Sequence, residues 1–221
     1  MEKSQMGRTR LATWENMRVV LLFFLALGLF CGAGWLFLNK GLYLLPDKMC
    51  EGTLERGTVE QVLPRARSAD SGSDRTGVGD DLRFWCHVVT SDDVSLSGEA
   101  RVQYVSRKDW LEYYTGSGGR HRIIRASAGG IEALAQIDPG ADTSSVYVSC
   151  VPPGLDKHEA SQQPYAVVAE AQIHGRARAT GVSLGQTLTD FAYQLTRHAY
   201  KLAECRAPRD FPAELPRYKD R

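Results

Sequence analysis

LRFWCHVVTSDDVSLSGEARVQY, residues 82–104, carries the pattern that decides the fold. Leu82, Phe84, Cys86 and Val88 fall on one side of an extended chain. After Ser91, Asp92 and Asp93 the alternation resumes, with Val94, Leu96, Ala100, Val102 and Tyr104 set against Ser95, Ser97, Glu99, Arg101 and Gln103. Successive side chains of a strand point to opposite faces, so these runs predict an antiparallel hairpin with one buried and one wet face.

Upstream, Thr58 and Gln61 stand in capping-box spacing ahead of Val59, Val62 and Leu63, and Pro64 closes that short helix. Residues 66–81 are rich in Ser, Asp and Gly without periodicity and read as a mobile loop. Downstream, Trp110 to Tyr114 form a brief aromatic helix. Short strands follow around Ile123 to Ala126 and Ile131 to Ile137. Val146, Val148 and Cys150 share one face of another strand, which Pro152, Pro153 and Gly154 stop. Tyr165, Val167, Ala169, Ala171 and Ile173 alternate again. Ser183 and Gln186 then repeat the capping-box spacing before Leu184, Leu188, Phe191, Leu195 and Leu202, which recur as the inner face of a long amphipathic helix. The expectation is an α+β body of antiparallel sheet with a long C-terminal helix, built from two similar strand–strand–helix halves at about 50–115 and 120–205. Pro208, Pro212 and Pro216 predict a Pro-rich flexible tail over 206–221.

Ahead of this body, residues 19–38 (VVLLFFLALGLFCGAGWLFL) contain no charge. At about 1.5 Å per residue they form a helix of roughly 30 Å, the hydrocarbon thickness of a bilayer. Trp14, Trp35 and Tyr43 lie near its ends, where amphipathic rings favour the interface. Residues 1–18 hold four basic and two acidic side chains, and residues 39–221 hold 23 and 24. The positive-inside rule therefore places 1–18 in the cytoplasm, 19–38 across the bilayer, 39–49 as a stalk and 50–205 as an extracytoplasmic domain. The rival reading is a secreted protein with a signal peptide cleaved near the small residues Cys31 to Gly34; it leaves a mature chain beginning with Trp35, Leu36, Phe37 and Leu38. A lipoprotein signal does not fit, because bulky Phe30 precedes Cys31. Within the span Gly28 and Gly32 make a GxxxG pair, a candidate homodimer face, although glycine is common in membrane helices for other reasons.

Outside the span four cysteines remain, Cys50, Cys86, Cys150 and Cys205, without CxxC or Cys/His metal spacing. Two disulfides and an oxidising compartment follow. Four cysteines allow three connectivities; the two halves favour the local pairs Cys50 with Cys86 and Cys150 with Cys205.

Cys50, Glu51, Gly52, Thr53 and Leu54 lead to Val62, Leu63 and Pro64, then to a Cys-bearing strand and a terminal Ala-rich helix ending in Cys205. This arrangement resembles uncharacterised single-pass membrane proteins of high-GC actinobacteria, and twenty Arg against seven Lys suit such a genome. The resemblance implies an extracytoplasmic domain and supplies no catalytic residue, metal or cofactor.

A formal net charge of +1 over 221 residues argues against a nucleic-acid binder. GxSxG, Ser-x-x-Lys and HExxH are all missing, and His87, His121, His158, His174 and His198 show no compact ligand spacing. One segment carries chemistry: Gly118 and Gly119 precede Arg120, Arg122 and Arg125, a flexible turn with clustered donors suited to phosphate or carboxylate groups of cell-wall polymers or lipid heads. A solvated hairpin turn is the plainer account of the same residues. Trp110, Tyr113 and Tyr114 nearby offer faces for stacking on sugar rings, or simply a core. The expectation is a membrane-anchored, non-catalytic domain that binds a protein partner or an envelope component. The alternative is a cell-envelope enzyme with a site assembled from distant loops.

Overall fold

The computed structural model describes residues 6–38, 41–116, 122–137, 143–154, 164–206 and 208–219, with the side chains of the first helix described over 17–35. Helix α1 (Met6–Leu38) opens the chain. Its stretch Met17–Trp35 is long and apolar enough to cross a membrane, and none of it is buried against the rest of the protein. The folded body is α+β. A small hairpin, β1 (Lys48–Met49) and β2 (Leu54–Glu55), and helix α2 (Arg56–Val62) precede β3 (Ala69–Thr76), β4 (Arg83–Thr90) and β5 (Ser95–Tyr104). Helix α3 (Arg107–Gly116) leads to β6 (Ile123–Ala128), β7 (Ile131–Gln136), β8 (Thr143–Ser149) and β9 (Tyr165–His174), and α4 (Gly181–Leu202) follows.

Strands β3 to β9 form one antiparallel sheet in the order β3-β4-β5-β9-β8-β7-β6. It is two meanders, β3–β5 and β6–β9, joined where β5 pairs with β9 from Ser95↔His174 to Tyr104↔Tyr165. The halves are therefore present without being copies, since they contribute three and four strands. Alternation along β8 and β9 separates two cores. Val146, Val148, Val167 and Ala169 face α4, whereas Tyr147, Ala166 and Val168 face α3. The two helices thus lie on opposite faces of the sheet.

The 82–104 hairpin forms as its alternation requires, with Leu82, Phe84, Cys86, Val88, Leu96, Ala100 and Val102 buried. Its turn closes through Asp93 N–H to the Thr90 carbonyl, with Asp93 at φ 58°, a left-handed conformation that aspartate tolerates. Tyr104 departs from the expectation: it is 62% exposed at the end of β5, its ring edge-on to Tyr165. Gly98 sits where α4 comes closest, and a Cβ there would lie 2.4 Å from Leu195 Cδ1 and 2.8 Å from Phe191 Cε1. Between β6 and β7, Gly129 and Gly130 take φ of 58° and 74°, the paired left-handed residues of a two-residue hairpin turn.

Several expectations are corrected. Residues 69–76 are not a loop but the edge strand β3, paired with β4 from Ala69↔Thr90 to Thr76↔Arg83. Pairing uses the backbone, and an edge strand keeps polar and charged side chains such as Asp70, Asp74 and Arg75 outward, so no apolar periodicity marks it. The stalk is not free-standing either. Leu42, Leu45 and Met49 enter the main core, and Gly41 N–H donates to the Ala66 carbonyl at 3.0 Å. Neither capping box forms. Helix α2 starts at Arg56 after Glu55, and α4 starts at Gly181 after Thr180, each without a side-chain cap. Gln186 instead donates to Asp190 Oδ1 at 2.8 Å.

Among the described residues the C-terminal segment has no helix or strand, as its prolines dictate, yet it is packed rather than loose. Phe211 meets the rings of Tyr193 and Tyr200, Leu215 is 3% exposed, and Tyr193 Oη donates to the Pro212 carbonyl. Phe211 and Leu215, spaced among the prolines, supply the burial that composition alone concealed.

Candidate functional site

The sulfurs of Cys50 and Cys86 lie 2.08 Å apart, and those of Cys150 and Cys205 lie 1.99 Å apart. These are the two local pairs. Each closes one meander: Cys50 precedes α2 and meets β4, and Cys205 follows α4 and meets the end of β8. Cys31 is free and exposed on α1. Gly28 and Gly32 have open space where a Cβ would stand, so that face of the helix is uncovered in the single chain.

Of the clustered donors, Gly118, Gly119 and Arg120 lie outside the described residues, and Arg122 and Arg125 lie inside them. Both line a groove of about 470 Å³ along the edge strand β6. The opposite wall is the C-terminal segment, which adds Arg217, Tyr218 and Lys219, residues more than ninety positions away in sequence. Ile123, Ile124, Ile137 and Val182 supply apolar surface, and among the described residues no Asp or Glu lines the groove. The wall is held in place by specific bonds. Tyr218 N–H donates to Gln186 Oε1 at 2.8 Å, its hydroxyl bonds Thr189 Oγ1 at 2.9 Å, and Arg217 pairs with Asp190 at 2.6 Å and Glu214 at 3.2 Å. Asp190 raises the Arg217 pKa, and burial pushes the Tyr218 phenol up to about 12. Sequence reading missed this wall because it assigned 206–221 to a flexible tail; the signal was the apolar series Phe211, Leu215 and Tyr218.

A second cleft, about 300 Å³, lies beside α3. Trp110 is a core residue, 2% exposed, with Nε1 donating to Ser145 Oγ at 3.0 Å. Tyr114 is buried and makes a half-buried polar contact, its hydroxyl donating to Glu170 Oε1, and burial followed by the Glu170 charge drives its pKa upward. Only Tyr113 of the three aromatics is open, at 71%, and it faces a cleft shared with Tyr104, Gln103 and Arg101. Arg101 lies 3.8 Å from Glu170, and Asp109 adds a second carboxylate to the lining.

Two of the described histidines serve packing and pairing. His198 Nε2 lies 3.1 Å from Glu51 Oε2 with its ring against Phe84, and the His87 ring fills the space beside Gly72. Among the described residues no three His, Cys, Asp or Glu side chains converge as a metal site. No protein-family model, curated protein or solved structure matches the chain.

Proposed function

We propose that this is a single-pass membrane protein with residues 1–18 in the cytoplasm and its body on the extracytoplasmic side, acting by binding an envelope component or partner. The observation that carries the reading is the join between anchor and body. The apolar helix ends at Leu38, the packed chain begins at Gly41, and both cystine pairs lie beyond that point. Disulfides persist in oxidising compartments, and a body fastened this closely to its helix is held at the membrane surface. Two surface clefts, one basic and one aromatic, give such a body places to bind.

Labelling of intact cells with a membrane-impermeant maleimide tests the topology. The four body cysteines should react only after reduction, and external protease should remove the body. Labelling that needs cell lysis, or a body protected from protease, would refute the reading. N-terminal sequencing decides between anchor and cleaved signal: an intact N-terminus is expected, and a mature chain starting near residue 34 would replace the anchor. Photocrosslinking of the full-length protein in native membranes tests the binding role, with saturable capture of envelope material expected and its absence counting against it.

A further inference from the structure

The groove at β6 has a composition that the body's average does not predict. The sequence from residue 39 onward is nearly neutral, yet Arg122, Arg125, Arg217 and Lys219 converge on one concavity, with no carboxylate among the described residues of its lining. Arg217 is already committed to Asp190 and Glu214, so the charge available to a ligand centres on Arg125 and Lys219, both exposed. Between them the lining on the α4 side is aliphatic rather than polar, with Ile124 and Val182 only partly buried, whereas Ile123 packs toward the α3 core. Cations ask for an anionic head, and an aliphatic bed rewards an apolar body attached to it. A volume of about 470 Å³ suits one small molecule rather than a polymer strand.

Position favours a single bound molecule over a patch pressed against the protein's own bilayer. The turn at Gly41–Leu44, directly after α1, packs on β3, whereas the groove follows β6 at the far edge of the same sheet. Six inter-strand spacings of about 4.8 Å separate those edges by roughly 29 Å. The tether point and the groove are therefore at opposite ends of the molecule.

We propose that this groove binds an amphiphilic anion as a single molecule, its phosphate-type head between Arg125 and Lys219 and its short apolar body on Ile124 and Val182. The inference deepens the binding role above and names its ligand class. It does not depend on the topology, so cell labelling and ligand titration fail separately.

The test uses the full-length protein in zwitterionic phosphatidylcholine nanodiscs, titrated calorimetrically with hexyl phosphate, inorganic phosphate and hexanol. Hexyl phosphate should bind saturably and at least about tenfold more tightly than either of the others, because each lacks one half of the recognition. The double variant Arg125→Glu/Lys219→Glu should weaken hexyl phosphate at least about tenfold while keeping its cystine pairs and melting temperature, since two charge-assisted contacts become repulsive. Lys219→Glu alone serves if the double variant misfolds. The proposal is overturned if hexyl phosphate does not saturate, if inorganic phosphate binds as tightly, or if a folded variant binds like the parent. Displacement of hexyl phosphate by soluble dihexanoyl phosphatidylglycerol would support a lipid source, and failure of any such anionic amphiphile to compete would overturn the ligand class.

Discussion

At the scale of single residues, Gly98 decides how closely the long helix can approach the sheet. A methyl group there would collide with Leu195 and Phe191, both fully packed on the helix, so the neighbours would have to shift. Gly98→Ala should therefore cost about 1–3 kcal/mol, as overpacking does elsewhere, read as a lowered urea midpoint at unchanged slope. A neutral result would mean that α4 packs less closely on β5 at this point. Tyr218 makes a prediction of a different kind. Its phenol titrates near 10 in an unfolded chain and is raised to about 12 in the fold, so the neutral form is the one the fold prefers. The stabilisation is fully present below about pH 10 and is lost as pH climbs through about 12. Tyr218→Phe should flatten that alkaline limb in melting curves taken across the range, and an unaltered limb would assign it to other groups.

At the scale of elements, legibility follows how each element earns its burial. Strands β4, β5 and β9 and helix α4 carry alternating or helical apolar series, and each is where the periodicity places it. Strand β3 was illegible because its stability comes from backbone pairing to β4, to which the side chains of Asp70, Asp74 and Arg75 contribute no pattern. The start of α4 was misread because Ser183 and Gln186 match a capping box in spacing, whereas the helix already begins at Gly181 and Gln186 is used by Asp190 and Tyr218. The candidate site was half visible for the same reason: Arg122 and Arg125 stand out as clustered donors, but their opposite wall comes from a segment whose prolines announce only that it is not helical. Leu215→Ala tests that segment. A buried leucine truncated to alanine should cost about 2–4 kcal/mol, whereas in a loose tail the change would be within about 0.5 kcal/mol by thermal or denaturant unfolding.

At the scale of the whole molecule, the two meanders are each clasped by one cystine, and no cystine crosses between them. What joins them is the β5–β9 ladder and the face of α4 laid over both. The pairs enclose sequence separations of 36 and 55 residues, and in the chain-entropy account each closure contributes about 4 kcal/mol. Losing both removes an amount comparable with the entire stability of a domain of this size, so reduction by dithiothreitol should leave the body unfolded at 37 °C, followed by circular dichroism. A body that stays folded when fully reduced would show that its core suffices alone.

The placement of those clasps also governs how the molecule responds to being pulled. Tension applied between helix α1 and the C-terminal segment is carried across the sulfur bridges, so the chain between Cys50 and Cys86 and between Cys150 and Cys205 cannot pay out even after the sheet has come apart. At about 3.4 Å per extended residue, roughly 12 nm and 19 nm of chain stay locked. In its oxidised form the protein is a short leash, and breaking its bridges would nearly free its full length.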